Sequence, residues 1–423
     1  MSDPHATTLS DAPPPLPGPT LADIEDAART LDGVILSTPM EPSSYLSGVV
    51  GHPVHLKAET LQRTGSYKIR GAYTRLARLT AEERARGVVA ASAGNHAQGV
   101  ALAARELGIR ATIFMPVGVA LPKLTATRNY GAEVVLHGTF VDEALEAAAE
   151  FSERTGAIII PPFDHVDTVA GQGTLALEIL EQCPDVEHVV IPVGGGGLIS
   201  GVASAFAQLE GRIGRRVKVH GVQPENAAWY RPSMAAGRPV AVQTTPTIAD
   251  GTWVSRPGEL NFAIIRETVE DVVEVPDDDT ARALVVLLER AKLVVEPSGA
   301  MGVAAMISGR LTLDGPTVIV LSGANIDPMI MERVISRGLA ASARYLGVTI
   351  PLPDRPGQLA RISQLIADAH ANVVEVLHTR HGYGLQIGEV EIDIHMETRG
   401  AEHAALVLDT LRRAGYDPRV DDR

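Results

Sequence analysis

From Leu21 to about Gly338, short apolar β-branched runs alternate with Ala- and Leu-rich stretches. "GVVAAS" (87–92) precedes "AQGVALAARELG", "RATIFMP" (110–116) precedes "LPKLTATRNYG", and "AEVVLHG" (132–138) precedes "VDEALEAAAEFSERTG". "HVVIPV" (188–193) precedes "LISGVASAFAQLEG", and "TVIVLS" (317–322) follows "PSGAMGVAAMISGR". A strand that is apolar on both faces has to be covered on both faces, as happens in parallel sheets flanked by helices. The strands are too many for one mononucleotide-type unit. The expected fold class is therefore α/β, with two open twisted subdomains and a cleft between them. The larger domain is expected over 21–340, with a smaller subdomain of roughly 80–166 inserted in it.

The pattern changes after "SRGLAASARY". "LGVTIPL" reads as a strand, "DRPGQLARISQLIADA" as a turn and helix, and "ANVVEVLHTR" and "GEVEIDIHMET" as two more strands. "AEHAALVLDTLRRAG" is a helix, and "YDPRV" is a short last strand. That order is βαββαβ, a ferredoxin-like unit. Apolar and acidic residues alternate in "EVEIDIHM", which implies an antiparallel strand with one wet face. The boundary is expected near Ala341–Tyr345, with the second domain spanning 345–423.

Composition excludes several functions. The formal net charge is −14, whereas a protein that grips phosphate backbones is normally basic, so no nucleic-acid partner is expected. The single cysteine, Cys183, allows no intrachain disulfide and calls for no oxidising compartment. No apolar run approaches the roughly 18–20 residues of a membrane span. The N-terminal "MSDPHATTLSDAPPPLPGPT" lacks the basic and apolar segments of a secretory signal, and its prolines predict a disordered tail over 1–20. A cytoplasmic protein is expected.

Three loops follow strands and precede helices or turns, where ligands sit in open α/β sheets. In "VGGGGLISG", the glycines Gly194, Gly195, Gly196 and Gly197 can turn backbone N–H groups toward an anion at a helix N-terminus. The dinucleotide pattern G-x-G-x-x-G fails, because Ile199 or Ser200 stands where the third glycine is needed. No Gly-Lys-Ser/Thr follows, so a P-loop fails too. The loop reads as a cradle for one phosphate, with a tight packing turn as the competing reading. "SAGNHAQG" (92–99) offers backbone amides for a carboxylate and Asn95 for a phenolic oxygen, or else a plain helix cap. "VLSGAN" ends a strand at Ser322. In "TGSYKIRGAY" (64–73), Lys68 sits between Gly65 and Gly71. Alone it is an ordinary helix-start lysine. Beside a single-phosphate cradle it becomes the amine that a pyridoxal phosphate aldehyde requires.

"TGSYKIRGA", "SAGNHAQGVA", "GGGGLISG", "EPSGA" and "LSGAN" occur in an order and spacing that resemble the fold-type II, tryptophan-synthase-β-like pyridoxal phosphate (PLP) enzymes, and among them the threonine ammonia-lyases (threonine dehydratases). The resemblance covers about 25–340. The tail "LGVTIPLPDRPGQLARI" resembles an ACT domain, an amino-acid-sensing module. The resemblance implies that Lys68 carries PLP and then acts as the base at Cα. Tyr67 would pack against the ring, and Asn95 would bond its 3′-oxygen. Gly194 to Gly197 and Leu198 would bind the phosphate. Ser322 would meet the pyridine nitrogen with Glu296 nearby. Ser92, Ala93, Gly94 and His96 would take the substrate carboxylate. The implied reaction is α,β-elimination of water from L-threonine, giving 2-oxobutanoate and ammonia, with L-serine as a poorer substrate giving pyruvate.

Two departures bear on the alternatives of serine dehydratase or racemase. Relatives that racemise serine carry a second serine where this chain has Ala93. Their divalent-metal site also has carboxylates where "GVQPENAAWY" places Gln223 and Trp229, so no divalent metal is expected, and a monovalent cation stays open as the alternative. In the tail, Gly357 of "DRPG" matches the glycine that lets an effector approach in that family, with a plain turn glycine in a dimerising domain as the competing reading. The sequence does not name the effector, and isoleucine and valine are the candidates. A homodimer or homotetramer is implied by the resemblance. A catalytically dead amino-acid sensor is the remaining alternative, against which stands the complete set Lys68, Asn95, Gly194–Gly197 and Ser322.

Overall fold

The computed structural model of the chain describes residues 17–380 and 388–420. Most of the expected N-terminal tail, 1–16, lies outside the described residues. Its last residues are packed rather than loose. Thr20 caps the helix Leu21–Leu31 by accepting from Asp23 N (3.2 Å), while the Asp23 carboxylate accepts from Thr20 N (2.9 Å). This reciprocal box satisfies two otherwise orphaned amides, and the Pro19 carbonyl accepts from Gln208 (3.1 Å).

Among the described residues ten strands precede residue 341: β1 (Met40–Pro42), β2 (Val54–Ala58), β3 (Val88–Ala91), β4 (Ala111–Met115), β5 (Glu133–Leu136), β6 (Ile158–Ile159), β7 (His188–Pro192), β8 (Lys218–Pro224), β9 (Asp271–Val275) and β10 (Thr317–Leu321). They form two sheets, ordered β1-β2-β10-β7-β8-β9 and β5-β4-β3-β6. Every pairing is parallel except the edge pair β1–β2. The continuous apolar runs are buried along their full length in β3, β4, β7 and β10. Alternate residues feed opposite faces: Val318 and Val320 enter one core, Ile319 and Leu321 the other. In the smaller sheet Val88 and Ala90 face one core, Val89 and Ala91 the other. Among the described residues no helix is long and apolar enough to cross a membrane.

The C-terminal unit has β11 (Tyr345–Pro353), β12 (Asn372–Thr379), β13 (Glu389–Glu397) and β14 (Arg419–Val420) in the antiparallel order β12-β13-β11-β14. The helices Gln358–Asp368 and Ala401–Arg413 contribute Ile362, Ile366, Val407 and Leu411 to the same core. Burial alternates strictly along β13, as its sequence alternation demands. The helix Pro328–Ala341 ends three residues before β11 begins. It packs so closely on the helix Asp277–Val286 that a Cβ on Gly338 would lie 2.5 Å from the Ala281 carbonyl.

The helix Lys68–Ala77 joins the two subdomains. Its Ile69, Ala72 and Leu76 belong to the smaller core, so that core reaches back well before residue 80. Its other side crosses the helix Val166–Gln182 backbone to backbone. A Cβ on Gly171 would lie 2.5 Å from the Arg70 carbonyl, and one on Gly71 would lie 2.8 Å from the Thr168 carbonyl. Glycine is needed at both for this close approach. Two residues after Lys68, Arg70 is fully buried. Its guanidinium grips both oxygens of buried Glu59 (2.8 Å each) and donates to Glu178 (2.6 Å). Buried Lys57 also donates to Glu178 (2.8 Å), to the Thr38 carbonyl (2.7 Å) and to Gln182 (2.8 Å).

Removing one member of such a network leaves an uncompensated buried charge, a cost of about 3–5 kcal/mol. Arg70→Met is therefore expected to lower the stability of the larger unit by that amount in urea unfolding. A loss under about 1 kcal/mol would show that the network does not hold the helix.

Candidate active site

The loop after β7 is built to present N–H groups. The Gly194 carbonyl accepts from the Trp229 indole (2.8 Å). The Gly195 carbonyl accepts from the Asn261 amide (3.0 Å) and from Gly258 N (3.3 Å). In a trans peptide the N–H points opposite to the carbonyl. With the carbonyls held from behind, the N–H groups of Gly195 and Gly196 turn the other way. Gly197 opens the helix Gly197–Ile213, so its amide and that of Leu198 have no intrahelical acceptor. No side chain fits here. A Cβ on Gly195 would lie 2.3 Å from the Phe163 ring, and one on Gly194 would lie 3.1 Å from the Thr252 Cα. Gly196 adopts φ +97°, a left-handed conformation natural only to glycine.

Lys68 reaches the segment that covers this loop. Its amine donates to the Pro162 carbonyl (3.0 Å), next to the Phe163 that covers the glycines, and lies 5.3 Å from the Tyr67 ring centre. Asp164 fastens the same segment by accepting from Glu259 N (3.0 Å) and Leu260 N (3.1 Å). The end of β10 is zipped to the Lys68 segment. The Ser322 carbonyl accepts from Tyr67 N (3.1 Å), and Ala324 N donates to the Gly65 carbonyl (2.8 Å). Asn325 donates to the Thr64 carbonyl (2.7 Å) and to Asn95 Oδ1 (2.8 Å). Asn95 in turn donates to Glu296 (2.7 Å). A Cβ on Gly323 would strike Glu296 at 2.6 Å and Asn95 at 3.1 Å. Lys68, Asn95, the glycine loop, Glu296 and Ser322 are thus neighbours in one cleft, although Lys68 and Ser322 lie 254 positions apart in the chain.

Burial sets the charges. It pulls the Lys68 amine down to about 8, against the favourable pull of the Glu296 carboxylate. It pushes Glu296 up to about 7, helped by Asp250 and opposed by Lys123 and the Asn95 amide. Tyr67 is held well above the usual phenol range by burial and by Glu296. His96 is held down at about 3 by burial and by the Lys68 charge, and its Nε2–H donates to the Ile160 carbonyl (2.8 Å). The His96 ring is therefore a neutral anchor for its loop. In that loop the Ser92 hydroxyl accepts from Gly94 N (3.1 Å), while Asn95 and His96 open the helix Asn95–Leu107 with free first-turn amides.

The model of the family of pyridoxal-phosphate dependent enzymes matches residues 31–323. The chain belongs to that family. An ACT domain model matches residues 348–415. An L-threonine ammonia-lyase of Thermotoga maritima is 47% identical over 402 residues, covering 95% of this chain and 99% of that protein. Threonine deaminase isoform 2 of Solanum lycopersicum superposes with a TM-score of 0.70 at 36% identity, covering 80% of this chain and 98% of that one. Maize serine racemase superposes with a TM-score of 0.71 at 32% identity, covering 76% and 98%.

The cleft of this PLP-family chain fits its cofactor. The glycine loop leaves its N–H groups and a space that any Cβ would fill open to one anionic group, and the depressed lysine is bonded to Pro162, beside the Phe163 that packs on that loop. Among the described residues no group of three or more His, Cys, Asp or Glu could hold a metal ion. Gln223 and Trp229 have packing duties instead: Gln223 accepts from Tyr230 N (3.1 Å), and Trp229 holds Gly194. Sequence reasoning missed Phe163, Asn261 and Asn325. Asn325 stood inside the quoted "LSGAN", but Phe163 and Asn261 carried no local signal.

In protein freed of cofactor, acylation of Lys68 followed by peptide mass spectrometry should be half-maximal near pH 8 rather than 10.5. The Glu296 carboxylate favours the ammonium, so Glu296→Gln should move that midpoint to lower pH.

Proposed function

We propose that the chain removes water and ammonia from L-threonine to give 2-oxobutanoate, and acts more slowly on L-serine. The observation that carries this reading is a depressed lysine facing a single-anion glycine cradle, in a chain 47% identical over nearly its whole length to an L-threonine ammonia-lyase. Gly194–Gly197 and Leu198 would hold the PLP phosphate, Asn95 its phenolic oxygen, and Ser322 with Glu296 its ring nitrogen. Bound PLP supplies the electron sink that makes the substrate Cα–H acidic and lets the β-hydroxyl leave. With a midpoint near 8, about a tenth of Lys68 is neutral at pH 7, enough to take the Cα proton. Tyr67, neutral and partly buried, packs beside that amine. The free amides at Asn95 and His96 suit the substrate carboxylate, with Ser92, Ala93 and Gly94 shaping the loop. Ala93 offers no hydroxyl to return a proton to the opposite face of Cα, and His96 is bonded elsewhere. Racemisation therefore lacks the acid that a second serine would supply at that position.

In the ACT domain, a cavity of about 310 Å³ is lined by Asp354, Gly357, Gln358, His378, Arg380 and Ile392, among others. Gly357 opens the helix Gln358–Asp368 at φ +90° with free space where a Cβ would be. A helix N-terminus and Arg380 suit an amino acid's carboxylate, Asp354 its amine, and Ile392 an aliphatic side chain. This supports isoleucine or valine as effector. The edge strand β12 exposes Val374 and Leu377, which supports pairing of chains into a dimer or tetramer. The single cysteine supports a cytoplasmic setting.

Ammonia release should be fastest on L-threonine, slower on L-serine, and lost in Lys68→Ala, with no D-serine on chiral chromatography. Isoleucine or valine should change the rate of the parent protein and not that of Gly357→Val. Faster turnover of serine, or formation of D-serine, would replace this reading with the serine one.

A further inference from the structure

One ion pair crosses the mouth of the cleft. Lys123 stands in the first turn of the helix Leu121–Asn129, in the smaller subdomain. Its amine donates to Asp250 of the larger domain at 2.7 Å. Asp250 begins the short turn Asp250–Thr252, which lies on the site. A Cβ on Gly251 would be 3.6 Å from Glu296, and the Gly194 Cβ position is 3.1 Å from Thr252. The Lys123 amine itself is 3.8 Å from where a Cβ on Gly94 would be. It therefore hangs over the loop that opens the helix Asn95–Leu107.

Two further observations indicate that this pair does more than link surfaces. The Lys123 side chain is only 14% exposed, yet among the described residues Asp250 is its one hydrogen-bond partner. An ammonium has three N–H donors, so two remain to be aimed at a ligand. Its charge is secure, since Asp250, Glu296 and Asp327 hold it above its ordinary pKa against burial. Secondly, apolar burial does little to fix the helix that carries it. Thr127 is its one fully buried residue, and Leu121 at its start is 71% exposed. Leu124 seats the helix partly on the smaller core, but an element with so little buried surface opens at low cost, and the bond to Asp250 ties it across the cleft.

We propose that Lys123 binds the substrate's α-carboxylate with the donors Asp250 leaves free, so that the Lys123–Asp250 pair couples carboxylate binding to closure of the helix Leu121–Asn129 over the cleft. The proposal rests on the reading that places the carboxylate on the Ser92–His96 loop. Lys123 then selects free α-amino acids over their amides and alcohols. Asp250 keeps the ammonium poised and does not itself touch substrate.

The test compares the parent holoenzyme with Lys123→Gln, Lys123→Arg and Asp250→Asn. Losing a charge-assisted hydrogen bond should raise KM for L-threonine about tenfold to a hundredfold, with kcat changed less than about threefold. Lys123→Arg should recover most of that loss, and Asp250→Asn should raise KM by less than Lys123→Gln does. Inhibition by L-threoninamide, which lacks the carboxylate, should be the same in Lys123→Gln as in the parent. Independently of turnover, L-2-aminobutyrate should slow amide hydrogen exchange across 121–129 in the parent and not in Lys123→Gln. A KM within twofold of the parent in Lys123→Gln, or an equal loss of threoninamide binding, overturns the proposal. If the parent releases no ammonia from L-threonine, the reaction assignment fails by itself, and the exchange measurement still decides whether Lys123 answers to a carboxylate.

Discussion

The site depends on a charge network that lies beneath it. Arg70, Lys57 and Glu59 place two cations and one carboxylate out of water beside the half-buried Glu178, an arrangement that costs several kcal/mol per buried ion unless each finds its partner. The pairing is complete only when the helix Lys68–Ala77, the turn Glu59–Leu61 and the helix Val166–Gln182 meet in one register. Gly71 and Gly171 let the two helices meet that closely. The first turn of the Lys68 helix is therefore set by electrostatics and backbone contact together. The Lys68 amine inherits its position from a residue two places away that never reaches the cleft.

On the cleft side, the charges are arranged in a graded way. Lys68 is pulled down and Glu296 pushed up by the same burial, so both groups sit close to neutral pH rather than at their usual extremes. Titratable groups brought together in this way are a candidate site for proton exchange. His96 shows the contrast. It is equally buried and close to Lys68, but its ring is spent on a backbone carbonyl and it stays neutral.

Much of this was legible in the sequence because the relevant signals are local. A four-glycine loop after an apolar strand reads as a cradle, and apolar runs buried on both faces read as parallel strands. Arg70 was not legible. Glu59 lies 11 residues away and Glu178 lies 108 away, and nothing near "KIRGAY" announces either. Lys57 misleads for the same reason: a lysine in "VHLKA" argues against a buried strand until its carboxylate partner is known. The two side chains that turn the glycine carbonyls, Trp229 and Asn261, come from segments whose own patterns are those of ordinary packing. The cradle's sequence is visible, whereas the scaffold that aims it is scattered through the fold.

The helix Pro328–Ala341 gives the fold a mechanical character. It begins soon after the Ser322–Asn325 loop, which is zipped to the Lys68 segment, and ends three residues short of β11. Its 14 residues make a strut of about 21 Å, and the contact at Gly338 bears on the helix Asp277–Val286 like a pivot. The covalent path from the cleft to the C-terminal unit therefore runs through a stiff beam with a close contact near its far end, and only three residues of chain separate that beam from β11.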